Sequence, residues 1–488
     1  MIIVPANTLA AGGFEVANSC RFFSGDSPHM AKNQGTPSST RIYTISFWFK
    51  VGDVDGDDRT MFSYGADSDS QYSDTFIQSA VDGYRFRTTI DNANNYTVIT
   101  NRVIRDPSAW YHAVVAVDTT QGTAANRVKI YINGVQETSL QTANYPSENF
   151  DVPGMASGKE IGIGCRLNGN SRYFDGYLAE VAFCDGQALT PTSFGEYDED
   201  SPTIWKPKDF SGDVTFGTNG FYLDFEDSAN LGNDANGGTD LTETNLAAAD
   251  QCIDSPTNNL CTLNPLHMSD PSANYFVDNG NNTLEATNND QERQTGATIH
   301  PQGIKGYFEF KILTDSNFRV AVEEDGVALT KNNYTALASG QFYGLDSSGH
   351  LAYANGGSSA TLTSSYISSP SNGNIIGCAF DFTGSNRNVW FHLNGTYGNN
   401  GSGVGVPATG AYPGLSVTQL ALTKEFEFVF MCNTGGSSSS IGLNFGNGSF
   451  DGTAISSAGT NASFGSFEYD VPDGFGPICT KTLNGTYS

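Results

Sequence analysis

Basic residues are scarce in this chain. Its 488 residues carry 24 lysines and arginines against 52 aspartates and glutamates, a formal net charge of -28. A surface of that sign repels phosphate backbones, which argues against nucleic acid as a partner. Long apolar runs are missing too: nowhere do 18 consecutive apolar residues occur, so no membrane insertion by a helix is expected. The opening "MIIVPANTLAAGGFEV" has no basic start and no long apolar stretch, and does not read as a signal peptide. The eight cysteines form no CxxC pair and the six histidines are scattered, which argues against a zinc site. Several cysteines sit in apolar strand context (Cys184, Cys378, Cys432), where a thiol behaves as a small hydrophobe. They are expected buried and reduced, with Cys20 and Cys184 the pair to check first. No window carries a long 3.6-residue pattern, so long helices are not expected.

Glycine and aromatic residues are plentiful, 55 glycines and 12% aromatics, while only 16% of residues are charged. That balance suits β-sheet with many turns. The chain is too long for one ordinary core. Strand-like segments recur at sandwich-like spacing, and several alternate cleanly. In "YTISFWFK", Tyr43, Ile45, Phe47 and Phe49 face one way and Thr44, Ser46, Trp48 and Lys50 the other. The expectation is an all-β protein with two antiparallel β-sandwich domains of jelly-roll type joined by an ordered connector. The divisions are an N-terminal arm (1–17), a first sandwich (18–200), the connector (201–259) and a second sandwich (260–488). The connector holds Pro202 and Pro207, and its aromatics Trp205, Phe210, Phe221, Tyr222 and Phe225 suggest that it packs on a domain.

Two phrases look alike, "VKIYINGVQE" (Val128–Glu137) and "NVWFHLNGTYG" (Asn388–Gly398). Each runs from an apolar strand into Asn-Gly. A type I′ reversal needs positive φ at both central positions, so that local demand explains the likeness without a duplication. Asn133-Gly134 and Asn394-Gly395 are read as hairpin markers of two distinct, cousin sandwiches.

Longer phrases carry a family resemblance. "YTISFWFK", "WYHAVVAVDTT" (Trp110–Thr120), "VKIYINGV" and "FDGYLAEVAFCDGQALTP" (Phe174–Pro191) resemble the core strands of the laminin-G-like, concanavalin A-like lectin/glucanase superfamily. "GYFEFKI" (Gly306–Ile312), "FRVAVEEDG" (Phe318–Gly326), "IIGCAFDFTGSNRNVWFHLNGTYG" (Ile375–Gly398) and "VPDGFGP" (Val471–Pro477) resemble a SPRY domain. An opening "NSCRFFSGDSPHMAKNQGTPSSTRIYTISFWFK" (Asn18–Lys50), then "GTNGFYLDFEDSANLG" (Gly217–Gly232) and "DSPTNNLCTLNP" (Asp254–Pro265) leading into the SPRY-like part, make the whole arrangement similar to virion structural proteins of marine tailed bacteriophages. That resemblance implies a non-enzymatic virion protein assembled in the bacterial host cytoplasm, among other virion proteins. A tail-fibre-like or surface-exposed adhesin for host envelope glycan or protein leads. A capsid decoration or capsid fibre protein is the alternative, and a virion-associated glycan hydrolase comes third. A homo-oligomer is expected, with a trimer as the guess.

Candidate chemistry is sparse. "GEYDEDSP" alternates Glu196, Asp198 and Asp200, as glucanase strands do, but it leads into Pro202 and reads as a solvated charge run. No nucleophilic set is legible, and no catalytic residue is assigned; His112, inside a strand, reads as structural. No cofactor is required, although Asp53, Asp55 and Asp57 repeat the opening of a calcium loop, so Ca²⁺ binding at that turn stays open. Sugar binding needs aromatic and amide side chains on loops at the sandwich ends. The candidates are Tyr72, Tyr96, Arg166, Asn168, Asn170 and Tyr173.

Overall fold

A computed structural model describes residues 13–52, 57–65, 72–80, 83–167, 169–269, 277–286, 293–314, 317–324, 329, 341–355, 358–421, 423–432, 438–461 and 464–487. The chain divides into two compact units, Pro5–Asn258 and Asn259–Ser488.

The first unit begins with β1 (Ser19–Phe22), β2 (His29–Asn33), β3 (Ile42–Val51), β4 (Arg59–Tyr64), β5 (Ser73–Ala80) and β6 (Gly83–Asp91). It continues with β7 (Tyr96–Ile104), β8 (Tyr111–Asp118), β9 (Val128–Ile132), β10 (Val135–Gln136), β11 (Leu140–Ala143), β12 (Glu160–Ile163) and β13 (Gly176–Asp185). Short pieces follow: β14 (Gly195–Tyr197), β15 (Trp205–Pro207), β16 (Phe221–Leu223), β17 (Thr242–Thr244) and β18 (Gln251–Cys252). One sheet runs β10-β9-β8-β3-β13-β1-β18 with β16 attached to β13, and the other β11-β7-β6-β5-β4-β12-β2-β17. The alternation in β3 sends Tyr43, Ile45, Phe47 and Phe49 into the core between the sheets.

The other face of that sheet is buried as well. The segment 201–259, read as a connector, turns out to be part of the first unit as far as Asn258: it supplies β15 to β18 and covers the outer face. Its aromatics drive this. Phe210, Phe216 and Tyr222 pack with Val114, Ala182 and Cys184, while Trp205 joins Trp48, Trp110 and Tyr177. The polar residues of β3 on this side all find partners. Thr44 Oγ1 donates to the Gln187 carbonyl (2.7 Å), Ser46 Oγ meets His112 Nε2 (2.9 Å), and Lys50 Nζ pairs with Asp254 Oδ2 (2.9 Å). The described part of the N-terminal arm is tied down too, since Val16 is buried and its N–H donates to Thr257 Oγ1 (3.0 Å).

The second unit contains β19 (Leu263–Met268), β20 (Val277–Asp278), β21 (Thr283–Ala286), β22 (Arg293–Ala297), β23 (Lys305–Thr314), β24 (Phe318–Glu324) and β25 (Gln341–Asp346). Then come β26 (Leu351–Asn355), β27 (Ser358–Thr363), β28 (Ile375–Asp381), β29 (Asn388–Leu393), β30 (Thr396–Tyr397), β31 (Phe426–Cys432) and β32 (Ser439–Asn444). Its sheets run β20-β21-β32-β23-β28-β29-β30 and β19-β22-β31-β24-β25-β26-β27. Here too the chain after the last sandwich strand lies back on an outer face, where Phe467, Val471 and Phe475 pack on Tyr307, Ala379 and Trp390.

The two strand orders are the same winding. β30-β29-β28-β23-β32-β21 repeats β10-β9-β8-β3-β13-β1, and β27-β26-β25-β24-β31-β22 repeats β7-β6-β5-β4-β12-β2. The two Asn-Gly pairs therefore occupy equivalent places, one hairpin in each of the two cousin sandwiches. Both pairs have positive φ, 49° and 79° at Asn133-Gly134 and 47° and 83° at Asn394-Gly395. In each, the Asn side chain accepts the N–H of the preceding strand's edge residue: His112 (2.8 Å) and Ile375 (2.9 Å). A Cβ on Gly134 would also lie 2.4 Å from the Trp205 ring. Gly134→Ala is expected to cost at least about 1–2 kcal/mol from left-handed backbone strain, more with the overlap. A lowered urea midpoint with altered tryptophan fluorescence reports it; an unchanged midpoint would contradict this account of the turn.

None of the eight cysteines is in a disulfide and all are buried. Cys20 lies opposite Leu178 in the β1–β13 ladder, six positions from Cys184, so these two thiols do not meet.

Candidate functional site

The second sheet of the first unit keeps a polar outer face. Ile77 and Phe86 are cross-strand neighbours in the core, so the adjacent pair, Phe76 and Arg87, points to the opposite side. Thr60 lies beside Phe76 on β4 and completes one row. Asp74, Thr89 and Thr97 form the next, across β5, β6 and β7. The loop between β12 and β13 then folds over these rows. Positive φ at Gly169 (78°), Asn170 (40°) and Arg172 (54°) turns it sharply, and the Arg166–Ser171 bridge closes it.

This loop delivers two arginines. Arg166 binds Asp74 Oδ2 from Nη2 (2.6 Å) and Nε (2.8 Å), with its guanidinium 4.6 Å from the centre of the Tyr72 ring. The Arg172 guanidinium lies 4.8 Å from the Phe76 ring centre, and that of Arg87 4.9 Å. Phe76 is thus fully buried outside the apolar core, beneath cations. Arg172 Nη1 is 3.0 Å from Asp58 Oδ2, yet without hydrogen-bond geometry. Burial and the nearby Arg166 charge hold Arg172 below the ordinary arginine range.

Beside this layer opens a cleft of roughly 680 Å³ lined by Ser24, Gly25, Asp57, Asp58, Arg59, Arg172 and Tyr173. Six buried side-chain atoms on the same face lack a hydrogen-bond partner: Thr60 Oγ1, Asp74 Oδ1, Gln78 Oε1, Arg87 Nε, Thr89 Oγ1 and Thr97 Oγ1. Buried polar atoms are ordinarily satisfied, so these six unfilled positions mark a polar layer beneath the outer surface of this sheet.

Of the residues singled out in the sequence, Tyr72 and Arg166 stack on each other, and Tyr173 lines the cleft. Asn170 is exposed on the same loop. Tyr96 is elsewhere, packed edge-on against Phe150 with centroids 5.0 Å apart. Asn168, Asp53 and Asp55 lie outside the described residues; Asp57 is exposed at the cleft. Among the described residues no group of three His, Cys, Asp or Glu side chains is placed to hold a metal. Sequence reasoning missed Arg59, Phe76, Arg87 and Arg172. The alternation of "SDTFIQSA" was the available signal, since it sets Asp74, Phe76 and Gln78 on one side.

Elsewhere, several described carboxylates and imidazoles are held by neighbouring side chains. Glu196 and Asp198 flank Lys206 (3.6 and 3.2 Å), with Glu196 on the two-stranded β14–β15 ladder. His112 touches Ser46, but Trp205 Nε1 donates to its Nδ1 (3.0 Å), so Nε2 carries the proton toward Ser46 and cannot accept one from it. Burial pushes His112 down to about 3. In the second unit, Tyr307 joins Glu309 Oε1 (2.9 Å) and His392 Nε2 (2.7 Å). Glu323 and Glu427 are cross-strand neighbours, 0% and 1% exposed, with His267 Nδ1 3.2 Å from Glu427. This carboxylate pair was invisible in the sequence, and its burial sets it apart from the wet cleft that a glycan hydrolase uses.

Residues 24–193 match the sequence model of the concanavalin A-like lectin/glucanases superfamily, so the first unit carries a laminin-G-like domain. No curated protein matches the chain. Among solved structures, domain 4 of an extracellular arabinanase from Geobacillus stearothermophilus, in complex with arabinotriose, is 21% identical. The match covers 38% of this chain and 83% of that one, with a TM-score of 0.27. Domains LG4-5 of the mouse laminin α1 chain are 8% identical over 82% of this chain and 81% of that one, TM-score 0.28. The TRIM65 PSpry domain is 11% identical over 38% and 88%, TM-score 0.24. At these TM-scores the three likenesses carry nothing about ligand or role.

Proposed function

We propose that the protein is a non-enzymatic structural protein of a bacteriophage virion, a tail-fibre-like or surface-exposed adhesin whose first unit binds glycan of the host envelope. The observation that carries the binding is the cleft on the polar side of β4 to β7, lined by arginine, aspartate and Tyr173 and lying beside the Tyr72–Arg166 contact. The virion setting rests on the order of the sequence phrases that resemble phage proteins. Repetition of the chain on the particle, as a trimer in this reading, turns weak sites into avid ones.

Isothermal titration of the protein with host envelope polysaccharide tests the binding. Arg166→Ala, which also releases the buried Asp74 carboxylate, is expected to lower affinity at least ten-fold. Failure of the unaltered protein to bind would overturn the glycan reading. Antibody labelling of intact particles tests the position: signal at the tail or fibre tips supports the adhesin, and signal spread over the capsid shell would replace it with a capsid decoration or capsid fibre protein.

A further inference from the structure

The ligand's charge is legible in the same site. Among its described residues the face and cleft gather four arginines (Arg59, Arg87, Arg166, Arg172) with three aspartates (Asp57, Asp58, Asp74). The chain as a whole holds acidic and basic groups in the opposite proportion, 52 to 24. Among the described residues, cations therefore outnumber anions by one at this site, on a chain that is anionic overall.

Their arrangement leaves cationic capacity unspent. Arg166 is committed, since Asp74 Oδ2 takes two of its N–H groups. Arg172 is less so: it lines the cleft, its side chain is about 30% exposed, and its ion pair with Asp58 (Nη1 to Oδ2, 3.0 Å) lacks hydrogen-bond geometry. Arg87 Nε, beside it over Phe76, is also without a partner. A guanidinium over an aromatic ring can meet a two-oxygen anion in bidentate fashion through the edge it leaves exposed. Nearby, Thr60, Thr89 and Thr97 are at least 98% buried with unfilled hydroxyls, so they form a polar layer beneath the surface that a ligand would meet.

We infer that this site takes an anionic glycan, a sugar bearing a carboxylate or sulfate group, with Arg172 at the cleft wall meeting the anion. The inference rests on the glycan reading above and deepens it. An uncharged sugar would leave Arg172 facing Asp58 as it does now, whereas an anion supplies the hydrogen bonds that Asp58 does not make.

Three probes of one chain length test it by isothermal titration: an oligogalacturonate, the same oligosaccharide with its carboxyls reduced to alcohols, and a sulfated oligogalactan. The carboxylate or the sulfated probe is expected to bind at least ten-fold tighter than the reduced one, and which of the two does so identifies the anion. Arg172→Gln should bring that probe down to the level of the reduced oligosaccharide, while Arg172→Lys keeps part of the preference. Thermal unfolding of both variants separates lost recognition from lost fold. Equal or tighter binding of the reduced probe would overturn the anionic preference and leave the glycan reading standing. Binding of none of the three would overturn both.

Discussion

Asp254→Ala should destabilise the first unit by about 3–5 kcal/mol, the range seen when one partner of a buried ion pair is removed. Asp254 is 0% exposed and Lys50 1%, with Nζ 2.9 Å from Oδ2. Oδ1 accepts from Trp110 Nε1 at 3.0 Å, and the Asp254 backbone carbonyl accepts from Ser19 Oγ at 2.5 Å. The pair is thus enclosed, with the Lys50 ammonium 5.7 Å from the Tyr177 ring centre. The alanine variant removes that carboxylate from beside the buried ammonium, under the covering segment. For a unit of this size about 1 kcal/mol moves the midpoint by 2–4 °C, so a fall of roughly ten degrees is expected in calorimetry. Lys50→Met combined with Asp254→Leu, which removes both charges, should recover much of the loss. If Asp254→Ala melted within about two degrees of the parent, the ion pair would not be fastening the segment.

Stability should also fall as pH rises from about 6.5 to 8, the reverse of ordinary carboxylate behaviour. Burial raises Glu180 to about 8, against the pull of the Tyr222 hydroxyl, which donates to it at 2.7 Å. Burial raises Glu323 to about 8, helped by Glu427, and Glu309 to about 7, despite N–H donors from Glu468 and Tyr469. Each carboxyl holds its proton in the fold at pH values where the unfolded chain, titrating near 4.5, has lost it. Their contribution is complete below about 4.5 and is lost as pH climbs through 7 to 8, at about 1.4 kcal/mol per unit for each proton. His112 and His392, both pushed by burial to about 3, act oppositely: they are neutral in the fold, and stability drops as pH falls below 6.5. The optimum therefore lies on the acidic side of neutral. The second unit, with Glu309 and Glu323, should respond more steeply above pH 6.5 than the first, with Glu180. Calorimetric transitions that hold still or rise between pH 6.5 and 8 would contradict this, and Glu323→Gln should flatten the second.

The strands were readable because burial between two sheets leaves a period-two mark, as in "YTISFWFK". Membership of the 201–258 segment was not. Nothing near Trp205 or Asp254 in the chain says that their partners are His112 and Lys50, because those contacts are set by tertiary packing. The common winding was hidden for a related reason. Equivalent strands need equivalent burial, which many different apolar sequences satisfy, and the Asn-Gly turns alone kept their spelling. At the site, Tyr72, Arg166 and Tyr173 were found as aromatic and polar loop residues. Arg59, Arg87 and Arg172 come from three separate segments and carry no mutual spacing. Phe76 looks like any core phenylalanine until the register of β5 against β6 turns it outward.

The covering segment has a consequence in time. Ser19 and Asp254 are 235 positions apart, and the β1–β18 pairing spans a similar length. Contacts of such separation close late, after the local hairpins have formed. On a ribosome the sandwich can assemble early, yet one face stays open, with Trp48, Trp110 and the Lys50 ammonium uncovered, until residues near 254 have emerged. Those residues leave the ribosome directly ahead of the second unit, which begins at Asn259. That schedule shortens the interval in which an open apolar face coexists with a second unfinished sheet, the situation in which tandem β-domains misassemble.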